Sequence, residues 1–412
     1  MRKMEKRNVI LILVIFINTV FSYWVKEQIG PFSNWVSGIV IAKGRNDDTN
    51  RIYVATWSRL YELTYRNNRW DIFDMGVTNG WGVCAGDGRN DGVTRIYAAF
   101  VLVSPQRSGV WEYTWTGTGW QRDTAIRIPP LSPSSPAAHG VAIGKARNDG
   151  INRIYCDDGN NRRIYEGYWT GTQWVSSAIA DSYGVDIIIA SARGDGINRI
   201  YCVGQGTYIY EFTWNGTQWV RELVDSTSRF YYGIACGYGR NDSILRLYSA
   251  WGSSPYGVYE FTWNGTRWVK ERVKGINALP RTVIVGDARN DGLMRIYVGC
   301  YGGKAMEYFY NGNQWDSCWV DSAGSGSYVS IFIGNGRNDG INRVYFGSSN
   351  NYLYEYSYIS TDIKEKSSDF IISEKINKYY NSLGQVISCS QLKKGVYFLY
   401  KKGKLKKFVK IN

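Results

Sequence analysis

Hydrophobic and polar positions along this chain alternate in short runs that are separated by glycine, asparagine and threonine turns. One phrase recurs seven times with small changes: Arg-Asn-Asp-Gly, two variable residues, then Arg-Ile-Tyr. Its leading arginines are Arg45, Arg89, Arg147, Arg193, Arg240, Arg289 and Arg337. They lie 44, 58, 46, 47, 49 and 48 residues apart. Repeats of about 40–50 residues are typical of propellers and solenoids, in which each unit buries its faces against its neighbours.

Each unit contains four predicted strands, which the fifth unit shows most clearly at 233–238, 246–250, 257–263 and 267–273. The first strand is small and apolar throughout, which favours a strand that is buried on both faces. An Asn-Gly or Thr-Gly turn leads into the fourth strand and is a strong hairpin signal. Two insertions in the second unit, 101–109 and 129–138, fall between strands, so we expect them to lengthen surface loops.

The seventh unit ends at Tyr358 without a fourth strand of its own. The missing strand is present at the other end of the chain, where residues 24–27 repeat the Trp-Val-Lys-Glu of residues 268–271. An N-terminal strand that completes the last unit closes a ring and leaves no open edge. The sequence therefore predicts an all-β fold, a closed seven-bladed β-propeller over residues 23–358.

The first 22 residues have the features of a secretory signal peptide: a basic start, a short apolar run and small residues before a cleavage position. The apolar run is too short to span a bilayer core of roughly 30 Å comfortably. We therefore expect residues 1–22 to be removed and no stable membrane span to remain.

The composition changes after the propeller repeats. Residues 359–374 are polar and are predicted to be a linker, followed by a small β module over 375–412. Its Tyr-Asn-Ser-Leu-Gly-Gln turn (380–385), Gly-Val-Tyr-Phe strand (395–398) and basic last strand resemble the C-terminal sorting domain of the type IX secretion system. That resemblance implies the type IX machinery as a partner and a secreted or outer-surface location. A basic module that only caps the propeller is the alternative.

The formal net charge of +14 is concentrated at the two ends of the chain. Residues 360–412 hold 12 lysines against 4 acidic residues, and the leader adds three further positive charges, so the repeats carry about +3. A nucleic-acid-binding protein would place this charge on its folded recognition surface, so we expect no nucleic-acid partner. The seven cysteines form no close metal-type pair, and buried thiols explain them better than a disulfide framework.

The loop sequence Gly-Asp-Ala-Arg-Asn-Asp-Gly, at 286–292, resembles the calcium loops of FG-GAP/VCBS propellers, the integrin-type family. In that family, carboxylates or amides at loop positions 1, 3 and 5 hold the metal. Here position 3 is the leading arginine in every unit, and position 1 is a carboxylate only in units two and six. We therefore expect no metal and no cofactor, with calcium in units two and six as the alternative.

Two kinds of ion pair are expected to replace the metal. The leading arginine should pair with the loop aspartate two residues later, through paired hydrogen bonds. The arginine of the second strand should pair with the glutamate of the third strand, because adjacent strands bring such side chains together. Seven copies of each pair indicate architecture, since an active site needs one constellation that differs from the rest.

The loops that enter the first strand, and those between the second and third strands, open on one face of a propeller and vary most here. A ring side chain precedes the first strand in six units, and a Pro-Arg pair takes its place in the other. The predicted ligand-binding residues are therefore Trp35, Trp81, His139, Tyr183, Tyr232, Arg281 and Tyr328. Loop residues that extend this face are Trp57, Trp251, Tyr256 and Tyr301. Such rings stack on sugars or bury apolar ligand faces, and packing between blades is their alternative role.

Enzyme chemistry has little support, because the chain has one histidine, no Gly-x-Ser-x-Gly elbow and no cluster of metal ligands. We assign no catalytic residue. The favoured hypothesis is a secreted or cell-surface binding propeller, lectin-like, with a glycan or surface polymer as its ligand. The alternative is a secreted polysaccharide lyase or glycosidase that uses a carboxylate on the same face, where Asp157 and Asp158 lie in a loop.

Overall fold

The computed structural model describes residues 22–102, 107–130, 137–182, 184–204, 207–227, 230–324 and 326–360, and the backbone of four short C-terminal strands. Over these ranges the chain is built from β-strands and contains no α-helix. One 3-10 turn occupies Tyr301–Gly303. None of the described helical structure is long and apolar enough to cross a membrane. The predicted signal peptide lies almost entirely outside the described residues.

Seven four-stranded antiparallel sheets form the blades of a propeller. The first, inner strands are β2 (Val36–Ala42), β6 (Val83–Gly86), β10 (Ala138–Gly144), β14 (Asp186–Ala190), β18 (Tyr231–Gly237), β22 (Pro280–Gly286) and β26 (Tyr328–Gly334). The second strands are β3 (Arg51–Thr56), β7 (Arg95–Leu102), β11 (Arg153–Asp158), β15 (Arg199–Val203), β19 (Arg246–Trp251), β23 (Arg295–Cys300) and β27 (Arg343–Ser348).

The third and outer strands complete the blades. The third strands are β4 (Arg59–Arg66), β8 (Arg107–Trp115), β12 (Arg163–Trp169), β16 (Tyr208–Trp214), β20 (Gly257–Trp263), β24 (Ala305–Tyr310) and β28 (Leu353–Ser360). The outer strands are β5 (Arg69–Val77), β9 (Trp120–Ile128), β13 (Trp174–Asp181), β17 (Trp219–Ser226), β21 (Trp268–Gly275), β25 (Trp315–Asp321) and, for the seventh blade, β1 (Ser22–Ile29).

The ring closes through the N-terminal strand, as the sequence predicted. β1 pairs antiparallel with β28, with Trp24 opposite Tyr358 and Lys26 opposite Tyr356. Each inner strand contacts the next one around the ring, and β26 of the last blade contacts β2 of the first. The Lys26 ammonium also lies 2.7 Å from the carboxylate of Asp321 in the sixth blade. The N-terminal strand therefore joins the seventh blade to its neighbour as well as completing it.

The second strand, and not the inner one, is the most buried part of a blade. All six residues of β3 are buried, whereas β22 has five half-buried residues out of seven. The expectation of an inner strand buried on both faces was wrong, because one face of that strand is turned toward the central channel of the propeller.

Adjacent blades are joined by the repeated aromatic and arginine side chains. The tryptophan that opens an outer strand packs edge-on against the second-strand tyrosine of the preceding blade, as Trp268 does on Tyr201 at 6.0 Å. The leading arginine of one blade stacks on an aromatic ring of the next, as Arg147 does on Trp214 at 4.0 Å. Repeated sequence positions therefore supply both sides of these aromatic and cation–π contacts between blades.

The first insertion of the second unit was expected to be a loop and is largely strand. β7 continues to Leu102 and β8 begins at Arg107, with Phe100 opposite Gly109 and Val101 opposite Ser108. The extra residues therefore lengthen a hairpin, since the backbone groups of both arms can pair with each other. In the second insertion, residues 131–136 lie outside the described residues.

The C-terminal strands belong to a different compact unit from the propeller. These strands are β29 (Tyr379–Tyr380), β30 (Val386–Ile387), β31 (Gly395–Lys401) and β32 (Lys404–Lys410), in the sheet order β30-β29-β31-β32. A small C-terminal β module is thus present as predicted. The linker beyond Ser360 lies outside the described residues, and the sorting role stays a prediction.

Candidate functional site

The loops at one end of the blades converge around the mouth of the channel. In five blades, the residue after the second strand donates its backbone N–H to a carbonyl just before the inner strand. Two of these bonds are Trp57 to Trp35 at 3.2 Å and Tyr301 to Leu279 at 2.9 Å. The others join Gly159 to Ala137, Gly252 to Phe230, and Ser349 to Ser327. The two kinds of variable loop therefore meet on one face, which we call the mouth.

The order of buried and half-exposed residues at the start of the inner strand decides which side chains face the mouth. In β2, β10, β18, β22 and β26 the pairing with the second strand also shifts register at this point. In every blade the residue nine positions before the leading arginine is buried, and the next residue is half-exposed. The half-exposed residues are Ser37, Trp81, His139, Val185, Tyr232, Arg281 and Val329. This ring of equivalent positions forms the inner rim of the mouth.

The structure places four of the seven predicted site residues on this rim: Trp81, His139, Tyr232 and Arg281. Trp35 lies two residues before the rim position of its blade. Its ring stacks on Trp57, which in turn contacts Trp81 on the rim. Tyr183 lies outside the described residues.

Tyr328 does not face the mouth, because it occupies the buried position one residue before the rim. Its ring is fully buried and stacks on Phe346 at 4.7 Å. Its hydroxyl lies 3.1 Å from a carboxylate oxygen of Asp321 in the preceding blade and 2.6 Å from the hydroxyl of Tyr356. Tyr328 therefore packs between blades, the alternative role given above for these rings. A one-residue step along an extended strand turns a side chain to the other face.

Three tryptophans and the histidine form a continuous surface, which we call the aromatic wall (Trp35, Trp57, Trp81 and His139). Trp35 and Trp57 are stacked, with ring centroids 5.6 Å apart and an angle of 14° between the planes. Trp57 meets Trp81 edge-on at 4.8 Å, and Trp81 meets His139 at 5.6 Å. Trp35 and Trp57 are 39% and 42% exposed, which is unusual for such large rings. The wall spans the first three blades.

His139 forms the inner end of the wall, and its imidazole is largely enclosed. Burial lowers its pKa, so the ring is neutral at pH 7. Its Nδ1 is buried without a hydrogen-bond partner among the described residues. A Cβ atom on Gly159 would lie 2.5 Å from that nitrogen, so only glycine leaves space for the ring. A neutral, tightly packed imidazole suits an aromatic surface better than it suits an ionic contact.

A second group on the rim, the Arg281 cluster (Tyr232, Arg281 and Tyr301), lies in the fifth and sixth blades. The Arg281 guanidinium lies 5.1 Å from the ring centroids of both Tyr232 and Tyr301. Arg281 also donates a hydrogen bond to the hydroxyl of Tyr301. Val185 separates this cluster from the aromatic wall on one side of the rim, and Ser37 and Val329 separate them on the other.

Two of the four additional loop residues lie on the mouth, namely Trp57 and Tyr301. Trp251 packs inside its blade, 5.3 Å from Tyr231 and 5.5 Å from Tyr259. Tyr256 packs against the core of the fifth and sixth blades. The Trp57 ring contacts both Trp35 and Trp81 and so lies at the centre of the aromatic wall. The sequence placed Trp57 in a loop between two strands and did not indicate these two contacts.

The two adjacent aspartates near His139 are both fully buried. Asp158 accepts hydrogen bonds from the backbone of Ala137 at 3.0 Å and from the side chain of Asn161 at 2.6 Å. Asp157 accepts one from Gly140 N–H at 2.7 Å, and its other oxygen has no partner among the described residues. Burial raises the pKa of Asp157 well above its usual range. Neither carboxyl group is presented to a ligand at the mouth.

On the opposite face, the Asp-Gly loops use the two arginines in a different way from that predicted. In the third blade, Arg153 of the second strand holds Asp149 through two hydrogen bonds of 2.8 and 2.7 Å. The leading Arg147 instead holds Glu166 of the third strand, at 2.9 and 2.7 Å. Asn148, between Arg147 and the loop aspartate, has a positive φ of 60°, which turns the leading arginine away from that aspartate.

The expected arginine–glutamate pair of adjacent strands exists only as a longer contact in this blade, 3.8 Å from Arg153 to Glu166. In unit two, the Asp87 carboxylate accepts backbone N–H groups of Asp91 and Gly92 at 3.0 and 2.8 Å. Among the described residues, no group of three or more His, Cys, Asp or Glu side chains is placed to hold a metal ion. The six described cysteines are free thiols, buried or half-buried.

No protein-family model and no curated protein matches the sequence. Among solved structures, BBS1N in complex with ARL6DN is 12% identical, with 81% of this chain and 95% of that chain covered and a TM-score of 0.58. YCF48 from Cyanidioschyzon merolae is 14% identical, with 81% and 98% covered and a TM-score of 0.51. These likenesses show the β-propeller fold alone. The FG-GAP/VCBS resemblance of the loops therefore remains a resemblance.

Proposed function

We propose that this chain is a secreted or cell-surface binding module, lectin-like, that holds a glycan or similar polymer at the mouth of the propeller. The aromatic wall carries this proposal. Its tryptophans are large, partly exposed and fixed by one another, and they occur where the sevenfold repeat is broken. A ligand-selective surface has to differ from blade to blade, whereas the opposite face repeats its loops almost unchanged.

The chemistry of the wall fits a sugar ring better than a charged ligand. The wall presents apolar ring faces, and the neutral His139 adds no charge to it. One ligand ring stacked on such a surface gains on the order of 1 kcal/mol beyond the buried area. Because Trp35 and Trp57 are already stacked, a ligand finds them ordered and loses less conformational entropy on binding.

The polysaccharide-active enzyme is the second hypothesis from the sequence, and no contact at the mouth favours it. The candidate carboxylates of such an enzyme are those of Asp157 and Asp158. Both are fully buried, and Asp158 already accepts hydrogen bonds from Ala137 and Asn161. We also propose export by a signal peptide and sorting through the C-terminal module, on the strength of sequence resemblance. That proposal is tested by locating the chain with and without residues 375–412 in the cells that make it.

The binding role is tested with a glycan array, followed by affinity measurements on the best glycan. Replacing Trp57→Ala should weaken binding about tenfold, since roughly 1.4 kcal/mol of stacking is lost when the centre of the wall is removed. Trp319→Ala is the matched control, because Trp319 is 41% exposed but lies on the outer strand β25. Equal binding by the Trp57 variant and the wild type would place the ligand elsewhere.

A reducing-sugar release assay on the glycans that bind separates the two hypotheses. A binding module leaves the glycan intact at protein concentrations that saturate it. Release of sugar ends by the wild-type protein would replace the binding module with the enzyme.

A further inference from the structure

Arg281 differs from the repeated arginines of the chain in what surrounds it. Each leading arginine forms an ion pair with a buried third-strand glutamate, as Arg240 does with Glu260 at 2.5 Å. Arg281 forms no such pair with any carboxylate among the described residues, and its one hydrogen bond goes to the neutral hydroxyl of Tyr301. The mouth therefore holds a positive charge that the described part of the protein does not neutralise.

The two tyrosines of the Arg281 cluster hold this charge in place. Both ring faces lie 5.1 Å from the guanidinium, a distance at which cation–π attraction operates. Gly252 gives the Tyr232 ring its space, because a Cβ there would come within 2.3 Å of the ring. A planar guanidinium that is fixed by stacking keeps N–H groups available for paired hydrogen bonds, which match a carboxylate.

The inner rim thus presents two chemically different surfaces to one ligand. The aromatic wall in blades one to three is apolar and neutral, and the Arg281 cluster in blades five and six is cationic. Both belong to the same ring of positions, so a polymer lying across the mouth contacts both. Such a polymer needs sugar faces for the wall and an acidic group for the cluster.

We infer that the Arg281 cluster is a subsite for the carboxylate of an acidic saccharide, of the uronic-acid class. This inference rests on the proposed function and specifies its ligand. The guanidinium of Arg281 accounts for the preference for an acid, and Tyr301 orients that guanidinium through their hydrogen bond.

The test compares two probes with the same sugar backbone, oligogalacturonate and its fully methyl-esterified form, in which each charged carboxylate is replaced by a neutral methyl ester. We expect the wild-type propeller to bind the acid at least tenfold more tightly than the neutral ester. Arg281→Gln should abolish this difference by weakening acid binding at least tenfold, with ester binding unchanged. Arg267→Gln, an exposed arginine on the Asn264 turn of the same blade pair, is the matched control and should change neither affinity. Thermal unfolding of both variants checks that they are folded.

The outcomes separate the two claims. Equal affinity for acid and ester, or an acid preference that survives Arg281→Gln, overturns the subsite and leaves the binding module standing. Polyglutamate that binds as tightly as oligogalacturonate shows that a protein carboxylate suffices, which overturns the assignment to a saccharide. Failure of every glycan on the array to bind overturns the proposed function itself, and the subsite with it.

Discussion

The seam between the fourth and fifth blades lacks a contact that the other seams have. On the Asp-Gly face, the asparagine after the leading arginine reaches across to the next blade. Asn148 accepts the backbone N–H of Asn198 at 2.8 Å and donates to its carbonyl at 3.0 Å. The same pair of bonds is formed by Asn46, Asn90, Asn241, Asn290 and Asn338. The fourth unit has Gly194 at this position and so cannot form them.

Gly194→Asn should install the missing contact with the backbone of Leu245. Gly194 has φ +73°, close to the 60° of Asn148, and a Cβ there would meet nothing within 4 Å. Two partly exposed hydrogen bonds contribute about 0.5–1 kcal/mol each. Loss of glycine entropy in the unfolded chain contributes about 0.4–1 kcal/mol, which the left-handed conformation of asparagine partly offsets. The net stabilisation is about 1–2 kcal/mol.

This stabilisation is measurable as a shift in melting temperature. The entropy of unfolding is about 2.1 cal/mol/K per residue, or roughly 0.7 kcal/mol/K for the roughly 340 residues of the propeller unit. We therefore expect differential scanning calorimetry to show a Tm that is higher by roughly 1.5–3 °C.

Two variants serve as controls for this substitution. Asn148→Gly removes an existing contact and should lower the Tm by a similar amount. Gly194→Ala adds a Cβ in the left-handed region without an amide, so it should melt below the wild type. A Gly194→Asn protein that melts no higher than the wild type would refute the idea that these asparagines stabilise the seams.

Two further predictions concern ring closure and pH. Deleting residues 22–29 should lower the Tm by more than 10 °C and broaden the transition. The reason is that β28 loses its neighbouring strand and the Asp321 carboxylate loses its ion pair with Lys26. An unchanged, cooperative melting transition would contradict ring closure by the N-terminal strand. Burial raises the pKa of Asp186 from 3.8 to about 6, so the folded state loses stability as pH rises between these values, by on the order of 3 kcal/mol. The Asp186→Asn variant should therefore melt roughly 4 °C higher than the wild type at pH 7, but at the same temperature as the wild type at pH 3.5. A Tm difference between the two proteins that stays constant from pH 3.5 to pH 7 would contradict a raised Asp186 pKa.

The repeat made most of the architecture predictable from the sequence alone. Residues recurring at fixed offsets must occupy equivalent places, so the number of blades and the strands within them followed from counting. The match between residues 24–27 and 268–271 located the closing strand, because a unit lacking its outer strand needs one from elsewhere. These features depend on local hydrogen bonding and on the period of the pattern, which the sequence contains.

The site required the tertiary structure, because it depends on single-residue register and on side-chain direction. Tyr328 and Trp81 both stand at the entry to an inner strand, but Tyr328 lies nine residues before its leading arginine and Trp81 lies eight before its own, so one side chain is buried in the blade and the other faces the mouth. The left-handed residue after each leading arginine sends that arginine to the third-strand glutamate and leaves the loop aspartate to the second-strand arginine, although Arg295 in the sixth blade also contacts Glu307 at 2.9 Å. Trp57 became the centre of the wall only when two loops, separate in sequence, were brought together. Sequence period fixes which residues repeat, but three-dimensional packing decides which of them meet.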